Sequence, residues 1–268
     1  TARGYTVSEE YLGYALEGIR QDFVLASKTY SRSKEAAAAD IETSLKNLRT
    51  DYIDLYQIHN PSPAELEQVL APDGALAALQ EAKAAGTMIT SEMELFFTFC
   101  PCEKVAVTGS DGKTTTTTLV SEMLKASGKK VWLGGNIGTP LLPLVRQMDA
   151  QDYAVVELSS FQLMDMTHSS HIALVTNLAP NHLDMHKDMD EYVDAKKNIF
   201  RFQDEKGLLV LNADNEITAS FCGNGETKFF SRRGCGYVEL KDGIICRGEE
   251  AVLDPKDILI PGVHNVEN

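Results

Sequence analysis

The sequence predicts an α/β protein with a mostly parallel sheet and flanking helices, and three observations carry that expectation. Short apolar strands alternate with amphipathic helices from Ser8 to Ala82. A β-branched run, Val105 to Thr108, leads through a glycine-rich turn into a helix. Two further apolar strands, in YAVVELSSFQL and HIALVTNLAPNHLDMH, precede another amphipathic helix over 188–203. Strands that alternate with helices pair in parallel, with the helices packed outside.

The first third supplies the first elements. From Ser8 to Ile19 the residues Tyr11, Leu12, Ala15, Leu16 and Ile19 share a helical face, with Ser8 as the cap. DFVLAS reads as a strand, and Lys28 follows it. Ser33 caps a helix carrying Ile41, Leu45 and Leu48. DYIDLYQI is a second strand, ending at His59 and the turn-rich NPSP. Pro63 suits the first turn of a third helix, and Leu76, Leu79 and Ala82 mark one more. In a parallel βα array, residues just after strands open onto one face, where active sites are assembled. Lys28 and His59 are therefore candidates, against a simpler reading as a solvated loop lysine and a satisfied rim histidine.

The segments TARGYTVSEE, FVLASKT and LRTDYIDLYQIHNP resemble consecutive signatures of the aldo-keto reductases, NADPH-dependent (β/α)8 barrels. The resemblance covers residues 1–86. It implies that Tyr5 is the general acid, with Lys28 and His59 beside it. An ammonium next to a phenol favours the phenolate, which gives the pairing a physical reason. The family's aspartate would precede residue 1, and the cofactor-binding half of the barrel is not encoded. Residues 1–86 are thus expected to form a partial barrel whose strand edges lack partners, and so to be less ordered than the rest or to pack against residues 87–100.

The remaining two thirds carry a different chemistry. Between the strand ending at Thr108 and the helix from Thr114 to Ser127 lies the turn Gly109, Ser110, Asp111, Gly112, followed by Lys113. The N–H groups of such a turn and the helix N-terminus favour an anion. Lys113 can reach outer phosphates, and the Thr114 hydroxyl suits Mg2+. The full phosphate-loop pattern has Gly where this chain has Val107, so only the shorter G-x-x-G-K-T core is present. Glu157 ends one strand and His182 follows another, a pair able to ligate a divalent cation or to serve as rim residues. Tyr192, Lys196 and Phe200 share one face of the 188–203 helix. For Lys196 that suggests either a function or an aliphatic stem whose ammonium snorkels to water.

TGSDGKTTTTT, GGNIGTPLL, ELSSFQL, TNLAPNHLD, YVDAKKNIF and GVHNVEN resemble the Mur ligases, in that family's order. Within the family they are similar to the members that add D-glutamate to UDP-N-acetylmuramoyl-L-alanine in peptidoglycan synthesis. The resemblance implies a P-loop-type central ATP-binding domain over 104–268, with 87–103 as a remnant of the preceding domain. The C-terminal ligase domain would be absent. It further implies that Gly109, Ser110, Asp111, Gly112, Lys113, Thr114 and Thr115 hold ATP, with Asn265 and Asn268 at the adenine. Thr114 would hold one Mg2+. Glu157, His182 and a carbamylated Lys196 would hold a second. Asn136 and His182 would contact the UDP-muramoyl substrate, and Lys113, Lys196 and His182 would serve catalysis. The family reaction activates a carboxylate as an acyl phosphate, which an amine then attacks. The incomplete chain is expected to be inactive alone. Alternative readings are a reductase fragment, or a mosaic of two gene fragments with no joint function.

Composition narrows the partners. A formal net charge of -14 over 268 residues argues against nucleic acid and anionic membranes, which demand a basic face. No apolar run is long enough to span a bilayer and Thr1 opens no signal peptide, so a bacterial cytoplasmic location is expected. Five cysteines lack paired metal-ligand spacing; Cys100 and Cys102 read as buried, reduced thiols rather than ligands.

Overall fold

A change of sequence character near residue 86 corresponds to a division of the chain into two compact units, Thr1–Ile89 and Thr90–Asn268. The computed structural model describes residues 7–59, 61–84, 90–164, 166–180, 188–260 and 262–267. Tyr5, His182 and Asn268 lie outside the described residues, as does the side chain of Ala82.

In the first unit, α1 (Ser8–Ala15) precedes β1 (Ala26–Thr29), α2 (Lys34–Leu48), β2 (Leu55–Ile58), α3 (Pro63–Leu70) and α4 (Ala75–Ala84). β1 and β2 pair in parallel, with Lys28 opposite Gln57. Ser33 caps α2 by accepting from the Ala36 N–H. Ser62 and Glu65 close a reciprocal cap around Pro63 on α3. The Ser33 cap and the place of Pro63 in the first turn of α3 are as the sequence suggests.

Other expectations fail here. α1 is capped by Val7 without a side-chain bond, not by Ser8, and its expected apolar face is divided: Leu16 is buried and Leu12 packs beside it, but Tyr11 and Ile19 are exposed. The buried side is Glu9, Gly13 and Leu16. Gly13 presses on α2 so closely that a Cβ would sit 2.4 Å from Asn47 O. Glu9 accepts bonds from Ser27 (2.5 Å), Ser44 (2.8 Å) and Asn47 (3.3 Å). A satisfied carboxylate and a bare glycine therefore share with Leu12 and Leu16 the contact that periodicity also assigns to Tyr11 and Ile19. β1 also begins later than DFVLAS suggests. Val24 is 83% exposed, and the Leu25 N–H is taken by the Asp54 carboxylate at 2.7 Å. Lys28 consequently lies inside the strand rather than after it.

The second unit opens with α5 (Glu92–Phe99) and continues through β3 (Glu103–Thr108), α6 (Lys113–Ala126), β4 (Val131–Gly135), β5 (Tyr153–Glu157), α7 (Ser160–Leu163), β6 (Ile172–Val175) and α8 (Met189–Arg201). It ends with β7 (Leu208–Asn212), α9 (Glu216–Ala219), β8 (Glu226–Ser231), β9 (Val238–Lys241), β10 (Ile244–Arg247) and β11 (Glu250–Leu253). The sheet order is β11-β10-β9-β8-β7-β6-β3-β5-β4. From β4 to β9 neighbouring strands are parallel; β10 and β11 finish the edge as an antiparallel meander.

β3 is the topological pivot. The chain leaves it toward the β4 edge, returns to β5, then crosses to β6 on its other side. Right-handed crossovers in opposite directions put α6 and α8 on opposite faces. A crevice opens beyond the carboxyl end of such a pivot strand, where ligands bind in sheets of this class. β3 is accordingly buried from Val105 to Thr108, and its neighbours Val155, Val156, Ala173 and Val175 are fully enclosed. No helix among the described residues is long and apolar enough to cross a membrane.

Candidate functional site

The turn leaving β3 is shaped by two glycines. Gly109 has φ 150° and Gly112 has φ 78°, so the chain can reverse and open α6 with its first N–H groups facing the crevice. Asn177, just past β6, clamps the turn. Its carbonyl accepts from Ser110 N–H at 2.8 Å, and its side chain bonds both N–H and carbonyl of Asp111 at 3.0 and 3.2 Å. Thr176 Oγ1 donates to the same Asp111 carbonyl at 2.6 Å. The Ser110 hydroxyl bridges Tyr192 Oη at 3.0 Å and the Ala179 N–H at 2.9 Å. Thr176, Asn177 and Tyr192 are the supports that the sequence reading left out of the site. Their signal is positional, since Thr176 and Asn177 follow the strand next to the pivot.

Around this turn the structure gathers the candidates it describes. Glu157 is 1% exposed; one carboxylate oxygen accepts from Thr114 Oγ1 at 2.7 Å, the other from Asn136 Nδ2 at 3.0 Å. Gly135, with φ 97°, lets the β4 end approach: a Cβ there would lie 2.2 Å from Glu157 O. Lys113 Nζ folds back onto the Ser110 carbonyl at 2.8 Å. Lys196 is 2% exposed and does not snorkel. Its Nζ donates to Thr108 Oγ1 (3.1 Å) and Gly109 O (3.0 Å), and it lies 4.8 Å from the Tyr192 ring centroid. Burial, reinforced by the Lys113 ammonium and partly opposed by Glu157, lowers the Lys196 pKa to about 7.

Asn265 lies farther along, on the wall of an apolar hollow of about 650 Å³ that Thr116, Thr176, Phe230 and Leu240 also line. In the first unit, Lys28 and His59 are not joined. His59 stacks on Tyr30 with centroids 4.2 Å apart, and its carbonyl accepts from Arg32 at 3.0 Å.

A family model described as the Mur ligase middle domain matches residues 107–268. The chain belongs to the Mur ligase family. An aldo/keto reductase family model matches residues 1–89, so the Mur ligase part is joined to a reductase-like part and the chain is a mosaic. Its Mur ligase relatives include the UDP-N-acetylmuramoylalanine--D-glutamate ligase of Acetivibrio thermocellus, 55% identical over 195 residues, covering 70% of this chain and 42% of that protein. The enzyme of the same name from Clostridium novyi is 52% identical over 199 residues, covering 71% and 43%. The chain thus spans less than half the length of these relatives. Among solved Mur ligase structures, the UDP-N-acetylmuramate:L-alanyl-gamma-D-glutamyl-meso-diaminopimelate ligase from Neisseria meningitides matches with TM-score 0.53 and 13% identity, over 92% of this chain and 83% of that one. The UDP-N-acetylmuramate-alanine ligase of Thermotoga maritima gives TM-score 0.51 and 19% identity, over 97% and 60%. At such identities the likeness concerns the fold.

Proposed function

We propose that the Mur ligase unit binds ATP with Mg2+. We further propose that it comes from an enzyme adding D-glutamate to UDP-N-acetylmuramoyl-L-alanine through an acyl phosphate. The observation that carries the reading is the convergence of Lys113, Thr114, Glu157 and Lys196 on one glycine-shaped turn. The turn and the first N–H groups of α6 receive the phosphates, and Lys113 swings from the Ser110 carbonyl to the outer ones. Adenine would enter the hollow walled by Asn265, where apolar surface suits a purine face.

The donor set fits a hard cation. Thr114 and Glu157 already bring two oxygens together, and oxygen ligands are what Mg2+ takes. Thr114 would hold one ion; Glu157, with Lys196 as its carbamate and His182, would hold another. Bound there, Mg2+ neutralises the charge that builds on a transferring phosphoryl group. Lys196 contributes an amine whose pKa burial lowers to about 7, which favours its neutral form relative to an ordinary lysine. A neutral amine is the form that takes up CO2, and carbamylation would turn this buried cation into an anionic oxygen ligand. Asn136, held on Glu157, would meet the UDP-muramoyl substrate at the mouth of the crevice.

The test is thermal. Millimolar MgADP or MgATP is expected to raise the melting temperature of the folded chain, and Lys113→Ala to abolish the rise. A folded sample with no shift at that concentration would overturn nucleotide binding. Ligase turnover by the isolated chain is expected to be undetectable.

A further inference from the structure

A line of side-chain bonds joins the phosphate loop to the wall of the apolar hollow. Thr176, whose Oγ1 holds the Asp111 carbonyl, accepts on its own carbonyl from Asn212 Nδ2 at 2.9 Å. Asn212 ends β7 and is 1% exposed. Its second amide hydrogen goes the other way, to Glu267 Oε1 at 2.9 Å. Glu267 Oε2 in turn lies 3.5 Å from Nε of Arg232, just past β8. We propose that Glu267 is a positioning residue for the nucleotide: it ties the turn that carries Asn265 to Asn212, and through Thr176 to the phosphate loop. This role rests on the nucleotide reading above and extends it to a residue that need touch neither phosphate nor base.

The amide of Asn212 fits one way only. Its Oδ1 accepts from the Asp214 N–H at 2.8 Å. Turned over, the amide would set that oxygen against the Thr176 carbonyl and the Glu267 carboxylate, neither of which can donate. Both hydrogens are therefore committed, one to the strand beside the pivot and one to Glu267. The far side of the link is fixed as well. Asp214 accepts from Ser231 Oγ at 2.6 Å and from the Arg232 N–H at 2.7 Å, which sets Arg232 where its guanidinium meets Glu267. Each carboxylate oxygen of Glu267 thus has a partner, so the side chain acts as a tie and is not held out to a ligand.

What it ties down is a short turn. Gly262, with φ 112°, opens it, the Asn265 N–H closes on the Gly262 carbonyl at 3.0 Å, and Val263–Val266 make a single 3-10 helix. Asn265, Val266 and Glu267 all line the hollow, whereas Leu259 shortly before them is 98% exposed. So short a helix has little cooperativity of its own, and a charge-assisted bond to a buried strand end governs how often it is in place. A ligand that requires the turn in place loses affinity in proportion to the molecules that lack it. The phosphate loop keeps its own clamp in Thr176 and Asn177 and does not depend on Glu267. Loss of the Glu267 bond should therefore weaken ligands that carry the base and spare bare phosphates.

Isothermal titration of the whole chain with MgADP and with magnesium tripolyphosphate separates the two ends. Glu267→Ala should weaken MgADP by about tenfold, the low end of what a hydrogen bond to a charged group is worth, and leave tripolyphosphate within about twofold. Glu267→Gln keeps an acceptor for Asn212 and should recover most of the loss. The tripolyphosphate arm also reports, in the same sample, that the phosphate loop is still folded. An MgADP affinity unchanged in Glu267→Ala, or an equal loss for both ligands, would overturn the positioning role while nucleotide binding by the parent stands. A parent chain that binds neither ligand would overturn the nucleotide reading itself, and this role with it.

Discussion

Lys196 concentrates the site's electrostatics in one atom. Its ammonium has lost water and faces a second cation, Lys113, so its pKa falls from 10.5 to about 7. Between those values the unfolded chain holds a proton that the folded chain has released, and stability therefore rises with pH across that window. The slope from this one group is at most about 1.4 kcal/mol per pH unit. Below pH 7 both states are protonated and the slope vanishes. Lys196→Met keeps the stem and removes the titration, so urea melts from pH 7 to 9.5 should show a flatter profile than the parent. Identical profiles would place the lysine's pKa near its ordinary value. Gly109 is the second sensitive residue: a Cβ there would lie 1.9 Å from Thr176 Oγ1, which the Asp111 carbonyl already engages. Gly109→Ala should cost about 1–3 kcal/mol, as forced overpacking does, and weaken the nucleotide-dependent shift in melting temperature.

Elements whose signals are local are the ones that can be read from sequence. β3, β5 and β6 announce themselves as apolar, β-branched runs, and α6 and α8 start at a glycine turn and at Asp188, whose side chain caps the Glu191 N–H. α3 is legible for the same reason, and its cap offers a test. Ser62→Ala removes the acceptor of the Glu65 N–H and should destabilise the first unit by about 1 kcal/mol, measured by chemical denaturation. α1 is legible only in part: the helix and its Leu12 and Leu16 contacts follow periodicity, but the rest of its buried side is a glycine and a carboxylate satisfied by residues on β1 and α2. The candidate site divides in the same way. Lys113, Thr114 and Glu157 stand at the ends of readable elements, whereas the bond from Lys196 to Thr108 joins residues 88 apart. Thr176 and Asn177 act by holding a turn, a role with no residue pattern of its own.

On the scale of the whole molecule, the two units differ in what they bury. The second has a nine-stranded sheet over one continuous core that runs from Met93 to Phe221. Among its described residues the first has a two-stranded parallel ribbon and two small clusters, Leu16, Leu25 and Leu48 in one and Ala37, Ala75 and Ala78 in the other. A two-stranded pair has little stability of its own, and alanines bring little apolar area with them. Local opening should therefore cost much less in the first unit. Amides of Ala26–Thr29 and Leu55–Ile58 are expected to exchange with solvent well before those of Glu103–Thr108 and Tyr153–Glu157. MgADP should add protection to the second group alone, because a ligand stabilises the state that binds it. Equal protection across both sheets would show that the reductase-like unit has acquired stability beyond its visible core. Nucleotide-dependent protection in β1 and β2 would show that the two parts of the mosaic fold as one.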